Sequence, residues 1–278
     1  MQVKFYGVRG SISVSGEKYS EFGGNTTCLM IMAPETRRIG IIDAGTGIRQ
    51  LGVDFLKMGT DQKDMFIAFT HFHWDHIQGF PFFAPAYDRG MTISLLAKGG
   101  DRKLKHLQDI FATQMQETYF PVTMGEMGAR FQFLLMENHR QAFLPPDQVP
   151  VHVTAVKHQH PGGAYSYRYE RAGRSLVFAT DVEHGDKIDE NIVRLAQGVD
   201  LLIHDGQYAN HQLPQKRGWG HSSYEQAAEV AIRANVKQLF ITHHDPDHDD
   251  EYLRSAEKCC QEIFPDTTFA REGMIAST

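Results

Sequence analysis

"THFHWDHIQG", residues 70–79, places three histidines and an aspartate within six positions, directly after the apolar run "MFIAF" of residues 65–69. A short apolar run followed by polar turn residues reads as a buried strand, so the imidazoles fall where a strand hands over to a loop. In an extended segment, residues two apart point the same way, and His71 and His73 can bind one ion from one side. Asp75 and His76 fall where the chain turns, and there an oxygen and a nitrogen suit a second ion. Two divalent ions about 3.5–4 Å apart can bridge a water, lower its pKa and clamp both oxygens of a displacement. The spacing H-x-H-x-D-H therefore encodes half of a dinuclear site.

Half a site predicts further ligands at the ends of other strands. Apolar runs of strand length recur as "IGIID" (39–43), "SLVFAT" (175–180), "DLLIH" (200–204) and "QLFIT" (238–242). His160 follows "VHVTAVKHQ" and precedes "PGG"; Asp181 ends "LVFATD"; His243 ends "LFITH". A carboxylate such as Asp181 can bridge two ions, while His160 and His243 each complete one. His158 rivals His160, and His244 rivals His243. The fifteen histidines are unevenly spread and gather at these points, as a composite metal site requires.

Between the strands lie helical patterns with one apolar face: Ile48, Leu51, Phe55 and Met58; Leu104, Leu107, Phe111 and Met115; Ile188, Ile192 and Leu195; Leu253, Ala256, Cys260 and Ile263. Residues 222–235 open with Ser222 and Glu225 in capping-box register. Alternating strands and helices predict a layered α/β fold. With 278 residues, the expectation is one large domain with an insertion at about 80–150 that covers part of a cleft. A net charge of -6 gives no general attraction to nucleic acid or anionic membranes. Cys28, Cys259 and Cys260 have no metal-ligand spacing and suit a reducing compartment; with no secretory signal and no spanning apolar run, the expected location is cytoplasmic.

"THFHWDH" with "HPGG", "FATD" and "ITHHDP" resembles the metallo-β-lactamase superfamily over nearly the whole chain. The resemblance implies an αββα four-layer sandwich with a dinuclear metal site at the sheet edge. It implies one ion on His71, His73, His160 and Asp181, and the other on Asp75, His76, Asp181 and His243. His160 is preferred because "HPGGAYSYR" is similar to the branch carrying a Gly- or Pro-flanked histidine before a tyrosine-rich strand. Diiron oxidoreductases of this fold carry glutamate where His73 stands, and the lactamases lack the bridging aspartate. Thioester hydrolases of the glyoxalase II type have that aspartate and remain an alternative.

The phosphodiesterase branch, which includes tRNase Z, fits further. "LLIHDGQY" places Asp205 where tRNase Z carries glutamate, and "GHSSYEQAAEVA" resembles its H-S-T motif, with His221 as the matching histidine. A histidine held cationic by an acid can stabilise charge on phosphoryl oxygens or protonate a leaving alkoxide. The long basic arm of tRNase Z is absent between His160 and Asp181, where "GGAYSYRYERAGRSLVFAT" makes only a short hairpin. "FYGVRGSISVSG" and "FGGNTTCLMI" resemble small-molecule relatives that act on cyclic phosphate esters. The expectation is a phosphodiesterase for a cyclic nucleotide or related cyclic phosphate, with RNA processing of the tRNase Z type as an alternative.

In that reading Asp75 orients the nucleophile and takes its proton, and His221, supported by Asp205, assists the leaving group. Two divalent ions are the expected cofactors, zinc first because histidine dominates the ligands, with manganese or iron as substitutes. The expected partner is a small phosphodiester; no large nucleic acid or membrane is expected, and a homodimer is left open. Asp43, ending "IIDAG", either accepts the free N–H of a ligand histidine or caps the following helix. Arg9 is a candidate for a phosphate or a ribose, and Trp74, Phe82, Phe83 and Tyr87 for a base, each with a purely structural alternative.

Overall fold

Alternation along the strands sorts the core into layers. In the segment Leu201–Asp205, Leu201 and Ile203 point into one apolar cluster and Leu202 into another, the period of two that a sheet buried on both faces requires. The computed structural model of the protein describes residues 1–33, 35, 38–100, 103–143 and 149–278. The strands are β1 (Gln2–Gly7), β2 (Cys28–Ala33), β3 (Arg38–Ile42), β4 (Asp64–Phe69), β5 (Thr92–Lys98), β6 (Arg130–Met136), β7 (Arg140–Phe143), β8 (Val151–His158), β9 (Ala164–Arg171), β10 (Arg174–Ala179), β11 (Leu201–Asp205), β12 (Gln238–Thr242), β13 (Thr267–Phe269) and β14 (Ile275–Ser277). They form two sheets of seven, in the orders β14-β1-β2-β3-β4-β5-β6 and β13-β12-β11-β10-β9-β8-β7.

The middle layer is made by the facing sides of the sheets. Phe5, Leu29, Ile42 and Ala68 from one side meet Tyr167, Phe178, Ile203 and Phe240 from the other, and the Phe5 and Phe240 rings stack at 5.6 Å. Truncating a fully buried ring such as Phe178 would cost about 3–5 kcal/mol. The outer faces are closed by helices. On the first sheet these are α1 (Ile48–Lys57) and, after the short α2 (Trp74–Ile77), α3 (Leu104–Gln114), which bury Ile48, Leu51, Phe55, Leu107 and Phe111. On the second sheet, α4 (Glu190–Ala196), followed by the single turn α5 (Leu213–Lys216), α6 (Tyr224–Arg233) and α7 (Asp250–Ile263) bury Ile192, Leu195, Val230 and Leu253. The order is helix, sheet, sheet, helix, the αββα sandwich.

One local difference from the sequence reading has a physical cause. Ser223, not Ser222, caps α6, and its partner is Gln226, not Glu225: the Ser223 hydroxyl accepts Gln226 N–H while the Gln226 side chain accepts Ser223 N–H. Ser222 is spent elsewhere, its hydroxyl on the Val182 carbonyl and its N–H on Asp205. The stretch 80–150, read as an insertion, supplies β5, α3, β6 and β7 to the layers just described. β5 pairs in parallel with both β4 and β6. Residues 144–148, most of the expected "FLPPDQVP" loop, lie outside the described residues.

Parallel pairing is what gathers a site. β3 runs parallel to β4, and β10, β11 and β12 run parallel with Ala179, His204 and Ile241 in register. Their C-terminal ends therefore open on one edge of the sandwich, carrying Asp205 on the last paired residue of β11 and Asp43, His71, Asp181 and His243 just past the ends of their strands.

Candidate metal centre

Each strand end turns sharply to aim its side chain. Asp43, Asp181 and His243 have left-handed backbone, with φ of 58°, 58° and 62°, a conformation costing about 1–3 kcal/mol at a non-glycine residue. The H-x-H-x-D-H segment leaves β4, and Trp74–Ile77 winds into one helical turn that turns Asp75 and His76 inward. The seven expected ligands meet in overlapping sets: His71 with His73 and His160; His71 with His76 and Asp181; Asp75 with His76 and His243; and Asp181 with His221 and His243. Within each set the ligand atoms lie within 4.8 Å of one another. Asp181 belongs to two of these sets and lies 3.6 Å from His71 Nε2, 3.2 Å from His76 Nε2 and 3.4 Å from His243 Nε2.

The hydrogen bonds behind the imidazoles set their tautomers. His76 Nδ1–H donates to Asp43 Oδ2 at 2.8 Å, His243 Nδ1–H to Gln207 Oε1 at 2.9 Å, and His160 Nδ1–H to the Gly220 carbonyl at 2.9 Å. Thr70 gives its hydroxyl proton to Asp43, so its oxygen receives His71 Nδ1–H, 3.1 Å away. All four rings thus turn Nε2 inward, the arrangement by which outer partners orient metal-binding histidines. His71 Nε2 and His76 Nε2 are buried without a hydrogen-bond partner, and a buried polar atom left unmade costs about 1–3 kcal/mol. His160 Nε2, already an acceptor, lies 2.9 Å from His73 Nδ1. Inward lone pairs and buried carboxylates are a donor set that fits divalent cations.

The electrostatics agree. Burial would push His76 and His243 down, yet Asp181 and Asp75 beside them lift His76 well above its ordinary value and His243 to about 9. Burial likewise opposes ionisation of Asp75 and Asp181, but His76 and His243 hold both carboxyls below the usual range. The carboxylates of the pocket thus draw positive charge to its imidazoles, as a proton or as a metal cation.

Asp205 and His221 stand beside this cluster. His221 Nδ1–H donates to Asp205 Oδ2 at 2.9 Å, and the same carboxylate receives the N–H groups of Asp181, Gln207 and Ser222. Its charge is fully enclosed by donors, which lets a buried carboxylate stay ionised. His221 also lies 3.9 Å from Asp181 and forms a wall of a cleft of about 180 Å³.

The rivals face away. His158 spends its nitrogens on the Asp181 carbonyl and the Ser166 hydroxyl; His244 gives Nε2–H to the Ala270 carbonyl and stacks on Phe269. Asp43 takes the histidine role and caps nothing in α1, whose N-cap makes no side-chain hydrogen bond. Arg9 is fully buried and donates to the carbonyls of Gly23, Asp245 and His248, which ties loops together and leaves it unavailable to a phosphate. Phe83 is core, whereas Trp74, Phe82 and Tyr87 are exposed.

A family model described as beta-lactamase superfamily domain matches residues 37–244. The chain belongs to that superfamily. As a beta-lactamase superfamily member it is a metal-dependent hydrolase. A ribonuclease Z of Synechococcus sp. (strain CC9311) is 24% identical over 323 aligned positions that cover 98% of this chain and 97% of the relative. The ribonuclease Z of Brevibacillus brevis (strain 47) is 36% identical over 102 residues, covering 35% of this chain and 31% of the relative. Among solved structures, the short form of human tRNase Z superposes with a TM-score of 0.64 at 17% identity, over 100% of this chain and 99% of that one. A diphosphatase of the PhnP family gives 0.68 at 17% identity, over 99% and 96%. These structures share the superfamily fold. Among the described residues no helix is long and apolar enough to cross a membrane.

Sequence reasoning missed several residues around the centre. Gln207 holds His243, and Ser11, itself in left-handed backbone at φ 62°, donates its N–H to Asp75 Oδ2 at 2.8 Å. Gly10 and Gly220 leave room that a side chain would fill: a Cβ on either would fall 2.3 Å or 2.0 Å from Nδ1 of His243 or His160. No local pattern announces such contacts, because each joins segments far apart in the chain.

Proposed function

We propose that the protein hydrolyses a small phosphodiester, a cyclic nucleotide or related cyclic phosphate, with two zinc ions as the resident metals. The observation that carries the reading is the Asp205–His221 pair set against a cluster of inward-facing imidazoles and carboxylates. A thioester hydrolase has no evident use for a second, proton-bearing histidine at that place. Curated relatives named ribonuclease Z support phosphodiester chemistry.

His71, His73, His160 and Asp181 would hold one ion, and Asp75, His76, His243 and Asp181 the other. Such ions supply an activated water and neutralise phosphoryl oxygens. Asp75, kept ionised and fixed by Ser11 N–H, orients the attacking water as a hydrogen-bond acceptor. His221, its Nδ1–H anchored on Asp205, carries on Nε2 the proton that the departing alkoxide takes up. Three free thiols, Cys28, Cys259 and Cys260, suit the cytoplasmic location expected for such an enzyme.

Substrate size separates two readings. β9 and β10 are joined by Ala172 and Gly173 alone, a tight hairpin with no arm to grip a large RNA, and the net charge of -6 gives no counterweight to a polyanion. The full-length ribonuclease Z relative, whose alignment runs to 323 positions against 278 residues here, favours RNA processing as the second reading. The test is metal-analysed protein assayed on bis(4-nitrophenyl) phosphate, cyclic nucleotides, a precursor tRNA and an S-acyl glutathione. Cyclic nucleotides should give the highest kcat/KM, and His221→Ala should lower it by roughly 10²–10⁴-fold with metal content unchanged. Faster cleavage of precursor tRNA would replace the first reading with the second, and His221→Ala turning over like wild type would remove the proposed proton donor.

A further inference from the structure

Immediately before His221 the chain presents an exposed tryptophan on a rigid frame. Trp219 is 57% exposed, yet it stands between Gly218 and Gly220, both in left-handed backbone at φ 82° and 90°. The N–H groups of those glycines donate to the two carboxylate oxygens of Glu183 at 2.7 and 2.9 Å. The Gly220 carbonyl receives His160 Nδ1–H, and a Cβ at Gly220 would collide with that same nitrogen. The indole is therefore fixed to the metal centre through backbone, at the cost of two conformations that favour glycine. Burial of the indole does not account for that frame.

Lys216 completes the feature. Its ammonium lies 4.2 Å from the Trp219 ring centroid and 5.3 Å from that of Tyr208, and it makes no ion pair among the described residues. The other charges at the cleft are spent: Glu183 on the two glycines, and Arg217 on Asp186. Lys216 lines the same cleft as His221, so an ammonium with no carboxylate partner borders the space next to the proposed proton donor, and the exposed Trp219 indole packs against that ammonium from behind. At about 180 Å³ the cleft is smaller than the roughly 300–1,000 Å³ of sites that enclose a whole drug-sized ligand, and it takes one portion of a substrate.

We propose that Lys216 and Trp219 form a subsite for the leaving portion of the substrate and that this portion is a nucleoside, its base presenting an acceptor edge to the Lys216 ammonium and packing against the exposed part of the Trp219 indole that the ammonium does not cover. The proposal rests on the phosphodiesterase reading and sharpens it to nucleotides. Indole faces stack with any base, while an ammonium supplies donors to ring nitrogens and carbonyls; a sugar phosphate without a base would use neither.

The test is calorimetric binding of adenosine 5′-monophosphate and ribose 5-phosphate to the metal-loaded protein. Both probes carry the same phosphate to the metals, so their ratio isolates the base. The nucleotide should bind at least about tenfold more tightly. Trp219→Ala should bring the ratio close to one, Lys216→Ala should reduce it several-fold, and Lys216→Arg should retain most of it. Trp74 and Trp219 are the two tryptophans of the chain; in Trp74→Phe protein the nucleotide should quench Trp219 emission saturably and ribose 5-phosphate should not, a readout that needs no change at the subsite itself. Equal affinities in the wild type, a ratio that survives Trp219→Ala, or no quenching would overturn the subsite. Cyclic nucleotides cleaved by a protein that binds adenosine 5′-monophosphate no better than ribose 5-phosphate would defeat the subsite alone, while tighter, Trp219-dependent binding of the nucleotide by a protein that cleaves no diester would defeat the phosphodiesterase reading alone.

Discussion

The two sheets deliver the candidate metal centre in opposite ways. The first supplies His71, His73, Asp75 and His76 from one loop after β4, within six residues, and adds Asp43 from the neighbouring β3. The second supplies Asp205 from the end of β11 and His160, Asp181, His221 and His243 from separate loops beyond β8, β10, β11 and β12. A contiguous loop can be read as a metal half-site from spacing alone. The scattered half has meaning only once parallel pairing brings its strand ends level. Local order on one side and register on the other predict unequal consequences for damage to the two halves.

The largest effect should come from the scattered half. Asp181→Asn keeps a residue that tolerates the left-handed backbone but removes the charge shared by both ligand sets, so bound metal should fall well below two ions per chain. Turnover should drop at least about 10³-fold, the several kcal/mol such ions contribute. Elemental analysis of purified variant with two ions retained would break the claim that this residue joins the halves. A smaller effect should follow from Asp43→Asn, which weakens the support of His76 from the contiguous side: metal affinity should fall about 10–100-fold, measured by competition with a chelator, with the fold intact by circular dichroism. Unchanged affinity would mean that the first half needs no outer partner.

A third effect, on stability rather than on metal binding, concerns the two rival histidines, which belong to the scattered side. Burial pushes His158 down to about 4 and His244 down to about 3, whereas the unfolded chain takes up protons at these positions near pH 6.5. Folded values below unfolded ones mean that the stability they hold is fully present above about pH 6.5 and is lost as pH falls through that value toward 4. Each histidine steepens the loss by up to about 1.4 kcal/mol per pH unit. The urea midpoint of the protein should therefore fall between about pH 6.5 and pH 5, and a flat midpoint across that interval would show that these rings are not held neutral by burial.

The lesson of the capping box is the same on a smaller scale. Ser222 and Glu225 have the right spacing, as do Ser223 and Gln226, and composition does not choose between them. The choice was made by Val182 and Asp205, which claim Ser222 from across the fold. Arg9 shows the converse: a polar residue beside glycine reads as a binding group, and only its carbonyl partners at Gly23, Asp245 and His248 reveal a buried tie.

By itself the chain's order of residues determined which segments become strands and helices, because periodicity and apolar runs are local, and it determined the contiguous half of the centre, because H-x-H-x-D-H carries its geometry within a single turn. Tertiary structure alone decided that His160 and His243 face inward while His158 and His244 turn away. It also decided that Gln207, Ser11 and Asp43 set the direction of the site's nitrogens and oxygens, and that an exposed tryptophan stands braced beside His221. Those outcomes depend on strand register, left-handed turns and contacts between distant segments, none of which leaves a pattern in neighbouring letters.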